Sequence, residues 1–82
     1  MNLGVAIELL KDGRKMARED WQTRGLFLQL QKPDPNSLMT SAYIYLDSTQ
    51  TKNNNSIYSK TRIPWVATQA DLLAEDWMVV II

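Results

Sequence analysis

Cysteine and histidine are both absent from this chain of 82 residues. Their absence excludes disulfides and the metal sites that these two residues form. It also excludes Ser-His and Cys-His nucleophilic catalysis and acid–base catalysis by imidazole. The remaining candidates for proton transfer are carboxylates, and no suitably spaced pair of them stands out in the sequence. We therefore expect a protein that is not an enzyme, with no catalytic residues, no bound metal and no cofactor.

An excess of charge of either sign is also missing, because nine Lys and Arg residues balance nine Asp and Glu residues. A neutral chain argues against the broad basic surface that nucleic-acid binding requires, although it leaves room for a local anion pocket. The longest apolar run, Met78–Ile82, is far too short to span a bilayer, and the N-terminal residues lack the pattern of a secretory signal. We expect no nucleic-acid partner, no membrane partner and an intracellular setting.

The length predicts one domain, residues 1–82, with a thin core. A thin core without disulfides indicates self-association as a further source of stability. The first predicted element is an amphipathic helix that begins after Asn2, a favourable N-cap residue, and ends at Gly13, which suits the left-handed position after a helix. Its apolar face recurs at helical spacing and consists of Leu3, Ala6, Ile7 and Leu10.

Alternating and β-branched segments predict extended structure over residues 14–18, 26–31, 42–47, 62–67 and 77–82. The last segment is uninterruptedly apolar, which predicts a centrally buried strand. Residues 48–60 are rich in Ser, Thr and Asn and predict a mobile polar hairpin excursion. Thr68 and Asp71 have the spacing of a capping box and predict a short second helix. The fold expected is α+β, with the N-terminal helix packed on a small antiparallel sheet and the second helix before the last strand.

Two longer motifs carry a family resemblance. The first is MNLGVAIELLKDGRKMAREDW at residues 1–21, and the second is PWVATQADLLAEDW at residues 64–77. Together they resemble a family of small phage domains, the Thoeris anti-defence proteins of the second type, whose signature is P-W-x-A-S-Q-x-D-L-L-A-x-D-W. The chain departs from the family pattern at Asp20, where glycine is usual.

The resemblance implies a function as well as a fold. Members of the family act as sponges in the cytoplasm of the bacterial host, where they bind a cyclic ADP-ribose isomer made by a TIR-domain protein and keep the Thoeris effector silent. The resemblance further implies a homo-oligomer, dimer or tetramer, with its pockets at subunit contacts. The expected partners are therefore a cyclic ADP-ribose-type nucleotide and further copies of the chain.

The chemistry of such a ligand selects candidate binding residues. An adenine ring stacks on aromatic side chains, a pyrophosphate binds arginines or a helix N-terminus, and ribose hydroxyls bind carboxylates and amides. The candidates are the aromatic residues Trp21, Tyr43 and Trp65, the arginines Arg18 and Arg24, and the polar residues Gln69 and Asp71.

Structural roles compete for several of these residues. Arg18 is equally suited to an ion pair with Glu8 or Asp76, and Asp71 to capping by Thr68. Trp77, which opens an apolar strand, is expected in the core. The alternative function is a phage protein–protein interaction module that is not an enzyme, in which another chain covers the tryptophans.

Overall fold

The computed structural model describes residues 1–51 and 60–81. Over these residues it contains two helices and five strands, in the order α1 (Leu3–Lys11), β1 (Lys15–Arg18), β2 (Phe27–Gln31), β3 (Tyr43–Asp47), β4 (Arg62–Pro64), α2 (Gln69–Leu73) and β5 (Trp77–Val80). The predicted α+β class, with a short helix before the last strand, is confirmed.

The strands form one antiparallel sheet in the order β4-β3-β2-β1-β5. A row of apolar side chains in direct register crosses all five strands on one face. Its members are Ile63, Leu46, Leu28, Met16 and Val79. Because side chains on a strand alternate between faces, this register gives the sheet one continuous apolar face to bury.

Helix α1 covers that face, as its apolar spacing predicts. Leu3, Ala6 and Leu10 are buried in the same cluster as the central residues of the sheet. The side chain of Asn2 accepts a hydrogen bond from the Val5 amide at 3.0 Å, which satisfies an otherwise unpaired donor of the first turn. Gly13 has a φ of 91°, the left-handed conformation expected after the helix.

The prediction that the last strand is central in the sheet is wrong. Among the described strands, β5 lies at an edge and pairs with β1, and Met78, on the face of the sheet away from the core, is 42% exposed. At the free edge of β5, the Trp77 amide donates a hydrogen bond to the Met1 carbonyl at 3.1 Å. An apolar run is compatible with a central strand and equally with an edge strand that buries one large side chain. In β5 this side chain is Trp77, which is only 2% exposed.

The predicted excursion at 48–60 falls largely outside the described residues. Its described ends are tied together, since the Thr61 amide donates to the Ser48 hydroxyl at 2.7 Å and the Ser48 amide donates to the Thr61 carbonyl at 2.9 Å. Within the described ranges 1–51 and 60–81, no helix has the length and apolar character needed to cross a membrane.

Candidate functional site

An open depression of about 520 Å³ lies where β1 ends and β2 begins, on the face of the sheet that carries the core. We call it the tryptophan depression. Two of its walls are formed by Trp21 and Trp65, and the remaining lining residues are Asp20, Gln22, Thr23, Leu26, Leu46, Ile63, Pro64, Val66, Thr68 and Asp71. Its lining is therefore mainly apolar, with a few polar groups at defined places.

Both wall tryptophans are held by the third. The Trp77 ring lies 5.6 Å from the Trp21 ring and 5.9 Å from the Trp65 ring, with interplanar angles of 78° and 87°. Edge-to-face pairs of this kind stabilise a fixed mutual orientation of the rings. Trp77 is itself fixed, because its indole N–H donates to the Asp71 carbonyl at 3.2 Å. Trp21 and Trp65 are only partly buried, so part of each ring remains accessible.

An ion-pair network lies beside the three rings. Arg18 Nη1 donates to Asp71 Oδ1 at 3.0 Å, and Arg18 Nε donates to Asp76 Oδ1 at 2.9 Å. We call these three residues the Arg18 network. The second Asp71 oxygen accepts the Thr68 amide at 3.0 Å, while the Asp71 amide donates to the Thr68 hydroxyl at 3.1 Å. The predicted capping box is thus present, and the same aspartate also holds Arg18.

These contacts keep the acids of the network ionised. Burial would raise the pKa of Asp71, but hydrogen bonds from the Thr68 backbone and from Arg18 outweigh it and lower that pKa. The hydrogen bond from Arg18 also lowers the pKa of Asp76. The site is consequently a place of fixed charge at neutral pH, with the carboxylates of Asp71 and Asp76 bonded to one guanidinium and the Asp20 Oδ2 atom 3.9 Å from it.

The turn that follows Trp21 is fixed by close backbone packing. Gly25 has a φ of 87°, and a Cβ placed there would lie 2.5 Å from the Gln50 carbonyl oxygen. Only glycine suits such a position, both for its conformation and for the space available. The turn predicted at residues 22–25 is therefore pressed against residues 50–51, and this contact sets the path of one wall of the depression.

A second depression, of about 570 Å³, lies on the other side of the same segment. It shares Asp20, Trp21, Gln22, Thr23 and Leu26 with the first and adds Arg18 and Arg24. We call it the arginine depression. Arg24 is exposed, whereas the Arg18 side chain is only 13% exposed. The two depressions together place aromatic surface and positive charge on either side of one short segment.

The structure thus brings some predicted residues together and separates others. Trp21, Trp65 and Asp71 line the tryptophan depression, and Arg18 and Arg24 meet Trp21 in the arginine depression.

Two other predicted residues lie apart from this group. Tyr43 lies with Trp65 in a separate apolar depression of about 530 Å³, and Gln69 is exposed at the first position of α2. Thr68 and Ile63 also line the tryptophan depression but were not predicted as site residues. The capping spacing of Thr68 was the signal that could have indicated it, while Ile63 gives no such signal.

These features define the class of protein. It is a small α+β domain whose C-terminal helix and strand support an open aromatic depression next to a network of fixed charges. Among the described residues, no group of three or more Asp or Glu side chains is placed to hold a metal ion.

Comparison with known proteins places the chain within this class. The model of the Thoeris anti-defense 2-like domain matches residues 1–80. The chain is also 32% identical over 84 residues to "Thoeris anti-defense 2" of Bacillus phage SP01, an alignment that covers 98% of this chain and 94% of the relative. The chain therefore belongs to the Thoeris anti-defense 2-like family. Membership confirms the resemblance found in the two motifs and supports a role as a phage protein that acts against Thoeris defence.

Proposed function

We propose that the chain is a sponge that binds a cyclic ADP-ribose isomer made by a TIR-domain protein and so keeps the Thoeris effector inactive. The mechanism is stoichiometric capture in the host cytoplasm and involves no catalysis. Its capacity is set by the number of protein copies and by the dissociation constant.

The observation that carries this proposal is the pair of partly exposed tryptophans around the tryptophan depression. A volume of about 520 Å³ falls in the range typical of small-molecule sites. Stacking of a base on an aromatic ring contributes roughly 1–3 kcal/mol. Trp21 and Trp65 are fixed against Trp77, so little conformational entropy is lost when a base stacks on them. Thr68 and Asp71 offer polar groups to ribose hydroxyls on the same wall.

Charge indicates how the pyrophosphate is held. The described lining of the tryptophan depression includes Asp20 and Asp71 but no Lys or Arg. A pyrophosphate bound there needs cations from elsewhere. Two arginines adjoin the lining along the chain, Arg24 and Arg62, and Arg62 Nε is already bonded to Asp47 at 2.9 Å. Arg24, which lines the adjoining arginine depression, is therefore the better candidate. We propose that copies of the chain associate as a dimer or tetramer, so that Arg24 of one copy faces the tryptophan depression of another.

The first test is a calorimetric titration of the purified protein with a panel of cyclic ADP-ribose isomers and of cyclic di- and trinucleotides. The bound ligand is then released by heat and identified by mass spectrometry. Tight binding of one isomer with recovery of the intact molecule supports the sponge. Recovery of a hydrolysed product contradicts it, and absence of binding across the panel transfers support to the protein–protein interaction module.

Replacement of Trp21 tests whether the tryptophan depression is the nucleotide-binding site. Trp21→Ala removes a ring that lines both depressions, and we expect nucleotide affinity to fall about tenfold or more, as the loss of a base stack implies. Leu38→Ala, at a side chain that is 94% exposed in the loop before β3, is the matched control and should leave affinity unchanged. Equal affinity for wild type and Trp21→Ala would remove Trp21 from the site.

Mixing of two weakened variants, at a nucleotide concentration that only wild-type sites bind, tests whether copies share a site. If Trp21 and Arg24 of one site come from different copies, a mixture of Trp21→Ala and Arg24→Ala protein that exchanges subunits regains about a quarter of the sites of a dimer. If both come from the same copy, no mixture regains any site. Light scattering on the same samples gives the number of copies and shows whether the variants still associate.

A further inference from the structure

Arg18 is the cation of the Arg18 network, and both of its hydrogen-bond partners lie far from it in the sequence. Its Nε and Nη1 groups bond Asp76 and Asp71, which lie 58 and 53 residues later. Two carboxylates are therefore bonded to one guanidinium, and the Asp20 Oδ2 atom lies 3.9 Å from Arg18 Nη2. An anionic ligand that approaches Arg18 also approaches both carboxylates, which oppose it at short range. This arrangement is poorly suited to direct phosphate binding.

The same network fixes the backbone that leads to Trp21. The second oxygen of Asp76 accepts the Asp20 amide at 2.9 Å, and the Asp76 carbonyl accepts the Glu19 amide at 3.0 Å. The Trp21 amide in turn donates to the Arg18 carbonyl at 3.1 Å. Three successive amides are thus bonded either to Asp76 or to Arg18 itself.

We propose that Arg18 is a positioning residue: bonded by Asp71 and Asp76, it fixes the 18–21 turn and so holds the Trp21 ring in the wall of the tryptophan depression. The ligand contact is made by Trp21 and not by the guanidinium. This inference rests on the proposed function only in taking the depression to be the nucleotide site. The arrangement of the turn itself is independent of any ligand.

Asp76→Asn distinguishes this role from direct phosphate binding, because the two roles predict different changes in nucleotide affinity. Asp76 uses one carboxylate oxygen for Arg18 Nε and the other for the Asp20 amide. Asparagine replaces one of these oxygens with an NH2 group, which donates and cannot accept, so one of the two hydrogen bonds is lost in this geometry. A positioning role therefore predicts that nucleotide affinity falls about tenfold or more, the scale on which outer partners of a binding site act. If Arg18 binds phosphate directly, removal of a competing carboxylate leaves affinity unchanged or increases it.

Two control variants isolate the effect. Glu75→Gln removes the neighbouring exposed acid, whose side chain lies outside the Arg18 network, and corrects for the change in net charge. Asp47→Asn breaks a separate ion pair, since Asp47 accepts Arg62 Nε at 2.9 Å on the other face of the sheet. It corrects for a general loss of stability. Both controls should bind nucleotide as wild type does at a temperature where the folded state is saturated.

A measurement without ligand keeps this test separate from the proposed function. In the ¹⁵N–¹H spectrum of the unliganded protein, Asp76→Asn and Arg18→Lys should both displace or broaden the Trp21 indole signal. Asp47→Asn and Glu75→Gln should leave it in place. An unmoved Trp21 signal in Asp76→Asn overturns the inference, whether or not a nucleotide binds. A moved signal without any nucleotide binding supports the positioning role and contradicts the proposed function alone.

Discussion

Trp77 is the single side chain on which both walls of the tryptophan depression depend. It is nearly fully buried, contacts the rings of Trp21 and Trp65, and donates its indole N–H to Asp71. Its role in the core was predicted from its place at the head of an apolar strand. Its contact with both other tryptophans could not be predicted, because it depends on how the segments that follow β1 and β4 pack against the core that contains Trp77.

We expect Trp77→Ala to lower the free energy of unfolding by about 3–5 kcal/mol, the usual cost of removing a large buried aromatic ring. Urea denaturation followed by circular dichroism measures this change. Trp21→Ala serves as the comparison and should cost clearly less, since its ring is only partly buried. Equal losses for the two variants would show that Trp21 contributes as much to the core as Trp77 does.

The ion pairs of Arg18 were only partly predictable from the sequence. Asp76 was one of two partners predicted for Arg18, and the structure contains that pair. Glu8 was the other, whereas Asp71, which also pairs with Arg18, was not predicted. Ion pairs between residues more than fifty positions apart depend on strand pairing, and the pairing of β1 with β5 is not encoded in any local pattern.

At the scale of elements, local chemistry was the most predictable part of the molecule. The Asn2 cap, the left-handed Gly13 and the Thr68–Asp71 capping box each rest on residues within four positions of one another, and each is present. The edge position of β5 was not predictable, because it depends on the order of strands in the sheet. Strand β1 lies between β2 and β5, and no other described strand pairs with the far side of β5.

Helix α2 is only five residues long, so its caps matter more than its length. We expect Thr68→Ala to cost about 1 kcal/mol of stability through loss of the cap. Thr68→Ser, which keeps the hydroxyl that accepts the Asp71 amide, should cost much less. Thermal denaturation of the two variants measures the difference. Identical midpoints would mean that the Thr68 hydroxyl is dispensable and that packing alone holds α2.

At the scale of the whole molecule, stability against acid is set by carboxylates, since the chain contains no histidine. Burial tends to raise the pKa of Asp47, but hydrogen bonds from Thr49 and Arg62 lower it overall, and the pKa values of Asp71 and Asp76 are lowered as well. The folded state therefore binds fewer protons than the unfolded state in mild acid. This contribution is complete above the ordinary carboxyl pKa of about 4 and is lost as the pH falls through the lowered values.

We accordingly expect the free energy of unfolding to change little between about pH 6 and 8 and to fall progressively below about pH 4. Urea denaturation at a series of pH values gives the profile. Asp47→Asn should be less stable than wild type at neutral pH and should show a shallower decline in acid. A wild-type profile that stays flat to pH 3 would contradict the role assigned to these three carboxylates.

The pairing of β1 with the last strand also determines when during synthesis the site can exist. Residues 1–51 leave the ribosome first, with one side of β1 unpaired and with Trp21 lacking the ring and the carboxylates that hold it. Contacts between such distant parts of a chain require that both parts have been synthesised. A nascent chain that already displays Trp21 and Arg24 therefore lacks the assembled tryptophan depression, which forms only when residues 71–77 reach the sheet.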